Sequence, residues 1–207
     1  THLWDLETGA EISVLPGGTR AAAMDPEGRF TAVGLIDGRV TFTRWPEDVA
    51  STTLASETAL FAAPKIFRHN ALAFSPDGNT LYTASDSRVL AWDFPSGSIV
   101  RSFGLTTDPH AGKILIQRQA DTSPKVFVGP MPQTIRSLAI SPDGLRLLTG
   151  ESGHKEGLHL WDALTGEMLG QFPGGFQSIQ FSFDGLRGYS VSRKDLWITN
   201  LTAGSST

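Results

Sequence analysis

Histidine and serine are the side chains that could serve a metal site or nucleophilic catalysis here, because the chain contains no cysteine. His154 and His159 are five residues apart, whereas the HExxH pattern of zinc enzymes places two histidines on one helical face. Serine catalysis would require a GxSxG turn, and TGESGH at 149–154 has a different spacing. We therefore predict no catalytic, metal-binding or cofactor-binding residues, and we interpret both histidines as solvated loop residues.

Acidic residues recur in short glycine-containing turns, where carboxylates such as Asp77 and Asp143 could act as acids or bases. Their recurrence within one motif indicates turn formation instead, since Asp supplies a side-chain acceptor and Gly tolerates a positive φ. The four copies of the motif read MDPEG at 24–28, FSPDG at 74–78, ISPDG at 140–144 and FSFDG at 181–185.

A second motif alternates with these turns, and the two together define an internal repeat. It reads LWDLETG at 3–9, AWDFPSG at 91–97 and LWDALTG at 160–166, with weaker copies at 42–48 and 197–204. The turn glycines are separated by 50, 66 and 41 residues, and the shortest interval matches the ~40–45 residues of a four-stranded propeller blade. Period-two alternation between the motifs predicts strands and very low helix content.

The Trp-Asp endings and the SPDG turns resemble the WD-repeat β-propeller family over nearly the whole chain. The resemblance implies an all-β fold of four-stranded antiparallel blades, with strands a to d numbered outwards from a central channel. The SPDG turn would join strands a and b, and Trp-Asp would close strand c. Residues 1–207 would then form a single partial β-propeller domain, with three complete blades and partial blades at both ends.

The strand count predicts part of a larger propeller, because strand c is supplied at both ends of the chain. We expect a ring of about six to eight blades, with four-bladed closure or the pairing of two copies as alternatives. Open edges at the terminal blades would also favour self-association, since they expose unpaired backbone groups.

The family resemblance also implies a hydrogen-bond network of Asp, His, Ser or Thr, and Trp within each blade. Trp92, Thr83 and Asp86 match three members of this network, whereas Lys65 stands at the histidine position. We therefore expect the network to be incomplete in this blade.

The five tryptophans fall into two groups by their position in the repeat. Trp4, Trp92 and Trp161 occupy the Trp-Asp position, and we expect them to pack within blades. Trp45 and Trp197 are displaced from it by two residues, and they either pack or serve as exposed anchors for a partner.

Three enlarged loops indicate where a partner would bind, because the strands of a propeller are buried between blades. Residues 55–69 and 105–134 lengthen two links between strand d and the next strand a, and residues 151–157 lengthen a link between strands b and c. These links emerge on one face of a propeller. We predict that residues 105–134 form an inserted loop or β-hairpin, with strands near 113–119 and 125–129.

Four polar residues mark the entrances of the predicted a strands on that face: Arg20, Asn70, Arg136 and Gln177. Either they contact a partner around the channel mouth, or they are polar because each strand emerges into water there. Together with the loop residues His110, His154 and Lys155, they form our candidate partner-binding set.

The predicted function is a non-catalytic scaffold that binds a protein or peptide through the loop face. The alternatives are a ligand-binding or hydrolase-type propeller with a site at the channel mouth, or an accessory propeller of a larger multidomain enzyme. The net charge of −4 and the absence of a basic stretch argue against nucleic acid as a partner. No apolar run approaches the ~20 residues of a membrane-spanning helix, so we predict no membrane span.

Overall fold

The regular structure of this chain is entirely β-strand in the residues that the structure describes. The computed structural model describes residues 2–14, 18–35, 40–44, 53–54, 69–85, 88–94, 96–104, 114–117, 125–128, 134–152 and 157–202. These ranges contain no helix, as the period-two pattern predicts. Accordingly, no helix within them is long and apolar enough to cross a membrane.

The strands of the described ranges form six antiparallel sheets. A two-stranded sheet of β1 (His2–Trp4) and β2 (Glu11–Val14) comes first, followed by blade 1, which contains β3 (Thr19–Met24), β4 (Phe30–Leu35), β5 (Val40–Arg44) and β6 (Thr53–Leu54). Blade 2 contains β7 (His69–Phe74), β8 (Thr80–Ser85), β9 (Arg88–Asp93) and β10 (Ser98–Gly104). A two-stranded sheet of β11 (Ile114–Gln117) and β12 (Lys125–Val128) lies within the segment 105–134. Blade 3 contains β13 (Thr134–Ile140), β14 (Arg146–Ser152), β15 (Gly157–Asp162) and β16 (Met168–Phe172), and blade 4 contains β17 (Ser178–Phe181), β18 (Arg187–Val191) and β19 (Leu196–Asn200).

Each blade is a meander whose strands pair in chain order. The first strands of successive blades lie side by side, with β3 against β7, β7 against β13, and β13 against β17. This arrangement is a partial β-propeller with three four-stranded blades, and it confirms the predicted fold class.

The hydrophobic core lies between neighbouring blades. Phe94 of blade 2 packs its ring against Phe42 of blade 1 and Phe74, with ring centroids 4.9 and 5.2 Å apart. The next interface buries Leu147 and Trp161 of blade 3 against blade 2. In blades 1 and 3, strands β4 and β14 carry continuous runs of buried residues, because both faces of these strands are covered by apolar side chains.

The glycine-containing turns between the first two strands of blades 2, 3 and 4 share one hydrogen-bond pattern. In blade 3, Ser141 Oγ accepts a hydrogen bond from the Arg146 N–H at 2.9 Å and donates one to Asp143, whose Oδ1 accepts the Leu145 N–H at 3.0 Å. Gly144 closes the turn at φ 73°. Ser75 and Ser182 occupy the same place in blades 2 and 4. The recurring acids are therefore turn residues.

Neighbouring turns also touch one another. A Cβ atom on Gly144 would lie 3.3 Å from Pro76 Cδ in the preceding turn, and one on Gly185 would lie 3.7 Å from Pro142 Cδ. Arg146 Nη2 donates a hydrogen bond to the carbonyl of Gly185 at 3.0 Å. The turns thus form a second line of contact between blades, at the ends where the first strands finish.

Two of the three tryptophans at the Trp-Asp position, Trp92 and Trp161, bond to threonines on the neighbouring strand. The indole N–H of Trp92 donates to Thr83 Oγ1 at 3.0 Å, as the family resemblance implies, and Asp86 and Lys65 lie outside the described residues. The other two tryptophans at this position, Trp161 and Trp4, differ in their exposure to solvent. Trp161 is buried, whereas Trp4 is 52% exposed, so the expectation that it packs within a blade is wrong. Its sheet contains only β1 and β2 among the described residues.

Blade 3 extends its Trp-Thr bond into a buried polar network. Trp161 donates to Thr149 Oγ1 at 2.9 Å, and that hydroxyl lies 3.2 Å from Glu151 Oε1. His159 Nδ1 lies 2.6 Å from the same carboxylate oxygen, the distance of an ion pair but without hydrogen-bond angles. His159 is 4% exposed, so the interpretation of His159 as a solvated loop residue is wrong. Strand β15 carries it into the blade beside Trp161.

Ser141→Ala tests the contribution of the buried turn hydroxyl to stability. Ser141 is fully buried, so its loss leaves the Arg146 N–H without its acceptor, and we expect the free energy of unfolding to fall by about 1–2 kcal/mol. Ser182→Ala removes the same bonds from a more exposed turn, where water replaces them, and should cost less. Urea denaturation of both variants makes the comparison. Equal losses would contradict this account.

Lowering the pH should weaken the same turns. The serine hydroxyl and then the backbone N–H two residues on lower the pKa of Asp77, Asp143 and Asp184 from the ordinary 3.8. A carboxyl with a lowered pKa in the folded state stabilises the fold above its unfolded pKa, and this contribution is lost as the pH falls through the folded value.

Denaturant unfolding at a series of pH values should therefore show stability declining below about pH 4. Asp143→Asn removes the titrating group, and Ser141→Ala removes the main cause of its lowered pKa. Both variants should show a flatter pH dependence than the unaltered chain. Retention of the full pH dependence by both would overturn the assignment.

Candidate functional site

Three of the four predicted entrance residues are the extra residues of β-bulges. The pairing of β3 with β4 shifts register between Thr19 and Ala21, which leaves Arg20 unpaired. The same shift leaves Asn70 unpaired in β7 and Arg136 unpaired in β13. A bulge bends the strand and redirects the side chain of its extra residue. The repeat therefore places a polar side chain at the same point of each of these blades.

Gln177 occupies the corresponding place in blade 4. Its backbone N–H donates to the carbonyl of Val191 at 3.0 Å, immediately before β17 begins. The preceding turn depends on glycine, since a Cβ atom on Gly175 would collide with the backbone of Val191 and Ser192. The Gly175 N–H donates to the buried hydroxyl of Ser190 at 3.1 Å. The Pro-Gly-Gly turn is thereby seated on β18 and fixes the position of Gln177.

Hydrogen bonds link these residues from blade to blade. Arg20 Nη1 donates to Asn70 Oδ1 at 3.3 Å, and Asn70 Nδ2 donates to the carbonyl of Ile135 at 3.0 Å. Arg136 Nε donates to Ser152 Oγ at 2.9 Å. Asn70 thus uses its amide group to join three blades and positions the side chain of Arg20.

One further bond fixes the edge of blade 4. Ser137 Oγ donates to the carbonyl of Phe176 at 2.8 Å, so the turn before β17 is tied to β13. A Cβ atom on Gly150 of β14 would lie 3.1 Å from the Cα of Phe176, which shows how closely this turn approaches blade 3. The backbone around the four entrance positions is therefore held by packing and by hydrogen bonds.

The entrance residues line one open depression of about 530 Å³. All four predicted residues reach it, and three described residues outside the predicted set also line it. The seven lining residues are Arg20, Asn70, Arg136, Ser152, Phe176, Gln177 and Arg193. The other predicted residues, His110, His154 and Lys155, lie outside the described residues.

The three additional residues belong to links that the repeat places on the same face. Ser152 ends β14 at the start of the enlarged 151–157 loop, and Phe176 directly precedes Gln177. Arg193 lies in the turn between β18 and β19, where the Ser192 N–H donates to the Asp195 carbonyl at 2.9 Å. The expectation that links between strands b and c emerge on the loop face could therefore have identified Arg193 as a residue of this site.

Among the residues that the structure describes, the depression is lined by three arginines and by no carboxylate. Glu151 adjoins Ser152 in sequence, but its side chain is fully buried on the other side of β14 with Thr149. Asp195 shares the turn of Arg193 and pairs its Oδ2 with Ser192 Oγ at 3.4 Å. The described wall is consequently positive.

This lining can donate many hydrogen bonds but has little chemistry of its own. The only hydroxyl, that of Ser152, is bonded to Arg136, and no imidazole or carboxylate lies in the described wall to act as its base. Throughout the described ranges, no group of three or more potential metal ligands comes together. The arrangement is suited to binding polar or anionic groups.

Three comparisons with known proteins agree with this architecture. The profile of the WD40 family, described as WD domain, G-beta repeat, matches residues 65–93 and 122–162. WD repeat-containing protein 62 from Sus scrofa is 31% identical over 81 residues, which are 33% of this chain and 5% of that protein. Kuenenia stuttgartiensis Hydrazine Synthase superposes with a TM-score of 0.64 and 16% identity, covering 93% of this chain and 51% of that chain.

These similarities differ in what they establish. At 16% identity the likeness to the solved structure concerns the fold alone, and the chain spans about half of that structure's length. The curated relative matches over only a small part of its length. The profile matches cover β7–β9 of blade 2 and, in blade 3, end at the Trp-Asp of β15. The repeated turns, Trp-Thr bonds and meander blades agree with these matches, which show WD40 repeats at residues 65–93 and 122–162 of this chain.

Proposed function

We propose that this chain is a non-catalytic scaffold that binds a peptide segment of a partner protein in the depression at the mouth of its first strands. The observation that carries the proposal is the convergence of one side chain from each of four successive blades on a single open surface. WD40 repeats generally mediate protein interactions, which supports the same class of function.

The backbone that carries the lining residues is already ordered, so binding a partner should cost little conformational entropy. Arg20, Asn70 and Arg136 stand on bulges of paired strands, and Gln177 follows a turn that is seated on β18. A surface that is already ordered loses little conformational entropy when a partner binds. The rigid blades therefore hold the contact residues in place.

The composition of the lining favours a peptide over a small apolar ligand. Small-molecule sites are mostly enclosed and apolar, with a few polar groups that fix orientation. Here six of the seven lining residues are polar or charged, and Phe176 is the only aromatic one. Such a wall suits backbone and side-chain polar groups of an extended segment.

The first test uses a random peptide library displayed against the immobilised 207-residue chain. Arg20→Ala combined with Arg136→Ala should lower the affinity for the enriched peptides roughly tenfold or more, because both side chains face the bound segment. Binding constants come from fluorescence anisotropy. Thermal stability should change by less than about 3 °C, since exposed polar contacts contribute about 1 kcal/mol or less.

The control is the pair Arg29→Ala and Arg187→Ala, which removes the same charge just before β4 and at the start of β18, away from the lining of the depression. These changes should leave peptide affinity close to that of the unaltered chain. Failure to enrich any peptide, or equal affinity in the two double variants, would overturn the proposal. A large fall in stability for the Arg20 and Arg136 pair would show that these residues are structural.

A further inference from the structure

Three guanidinium groups converge on the depression from three separate elements of the chain. Arg20 stands on β3, Arg136 on β13, and Arg193 in the turn between β18 and β19. The chain as a whole has a net charge of −4, so this concentration of positive charge runs against its average composition. Like charges so placed repel each other until an anion neutralises them.

These arginines differ from two others in the described part of the chain. Arg29 pairs with the carboxylates of Asp25 and Glu27, and Arg146 pairs with Asp143. The arginines of the depression have only neutral partners: an amide oxygen for Arg20 and a hydroxyl for Arg136. No ion pair with a described carboxylate is formed by any of the three.

Most of the donors on these groups remain available. A guanidinium carries five N–H donors in a planar fork, and Arg136 uses only its Nε in the bond to Ser152. Among the described residues, its two terminal nitrogens have no hydrogen-bond partner, so they can bind a ligand. Such a fork matches the two oxygens of a carboxylate, or those of a phosphate, better than any neutral group.

The neighbouring residues favour a peptide as the carrier of those oxygens. Gln177 adds an amide that can both donate and accept, and half-buried Phe176 adds an aromatic ring. Nucleic acid would require a longer basic track along its backbone, and the described depression has three cations confined to one place.

We infer that the depression recognises an acidic peptide segment, whose carboxylate or phosphate oxygens are bound by Arg20, Arg136 and Arg193. Asn70 and Ser152 orient the first two arginines through the hydrogen bonds described above. This inference rests on the proposed function and specifies the chemistry of its ligand.

The test compares synthetic peptides of one design, in which Gly-Ser spacers separate three Glu, three phosphoserine or three Gln residues. Fluorescence anisotropy with the 207-residue chain should show binding of the Glu or the phosphoserine peptide and roughly tenfold weaker binding of the Gln peptide. Which acidic peptide binds more tightly identifies the source of the oxyanion. Added salt should weaken the binding of the acidic peptides, because it screens the attraction between their negative charges and the arginines.

Single substitutions then locate the site. Arg20→Gln, Arg136→Gln and Arg193→Gln should each lower the affinity for the preferred acidic peptide several-fold. The triple variant should lower that affinity roughly tenfold or more. Arg187→Gln removes the same charge at the other end of β18 and should have little effect. Arg136→Lys keeps the charge but not the planar fork, so it should restore only part of the affinity.

Failure of this inference can be separated from failure of the proposed function. Equal binding of the Gln peptide, or unchanged binding by the triple variant, would overturn recognition of an anion. If library-derived neutral peptides still lost affinity with Arg20→Ala and Arg136→Ala, the scaffold function would stand. Tighter binding of oligothymidylate than of either acidic peptide would overturn the assignment to a peptide.

Discussion

The close packing of the first strands of neighbouring blades is the constraint on which the rest of this structure depends. Small side chains such as Ala21, Ala23, Ala71 and Ala73 allow these strands to lie side by side, and buried aromatic and aliphatic residues fill the space behind them. Strands so crowded leave little room for function along their length. Polar contacts are therefore displaced to the points where the strands begin, and bulges there turn side chains out of the sheets.

Much of the fold can be predicted from the sequence because its signals are local. The Asp-Gly turns and Trp-Asp endings each require particular residues within a few positions, so their repetition defines the blades without any long-range information. The entrance set could be found for the same reason, since Arg20, Asn70, Arg136 and Gln177 keep a fixed offset from the turn that follows. Sequence alone could not show that three of them stand on bulges, because a bulge depends on the register of the partner strand.

Features that depend on contacts between distant segments could not be predicted from the sequence. His159 looks like a loop histidine in HKEGLH, yet β15 buries it against Glu151, which lies on the neighbouring strand. Phe176 and Arg193 join the depression only because the turn before β17 and the turn after β18 meet beside blade 3. Trp4 carries the same motif as Trp161 but is exposed, since burial is decided by what packs against a strand.

The stacked turns at the far ends of the first strands restrict where the blade can vary. Five residues separate the first two strands in each of the four blades, from Met24–Phe30 to Phe181–Arg187. Each turn proline lies against the glycine of the next turn. A lengthened turn would lose its seat on both neighbours at once. The links 55–69 and 105–134, which lead into the first strands of blades 2 and 3, instead differ in length. Because the links into the first strands vary in length and the turns do not, foreign loops or affinity tags could be grafted at the mouth side. The turns between the first two strands keep one fixed length in every repeat.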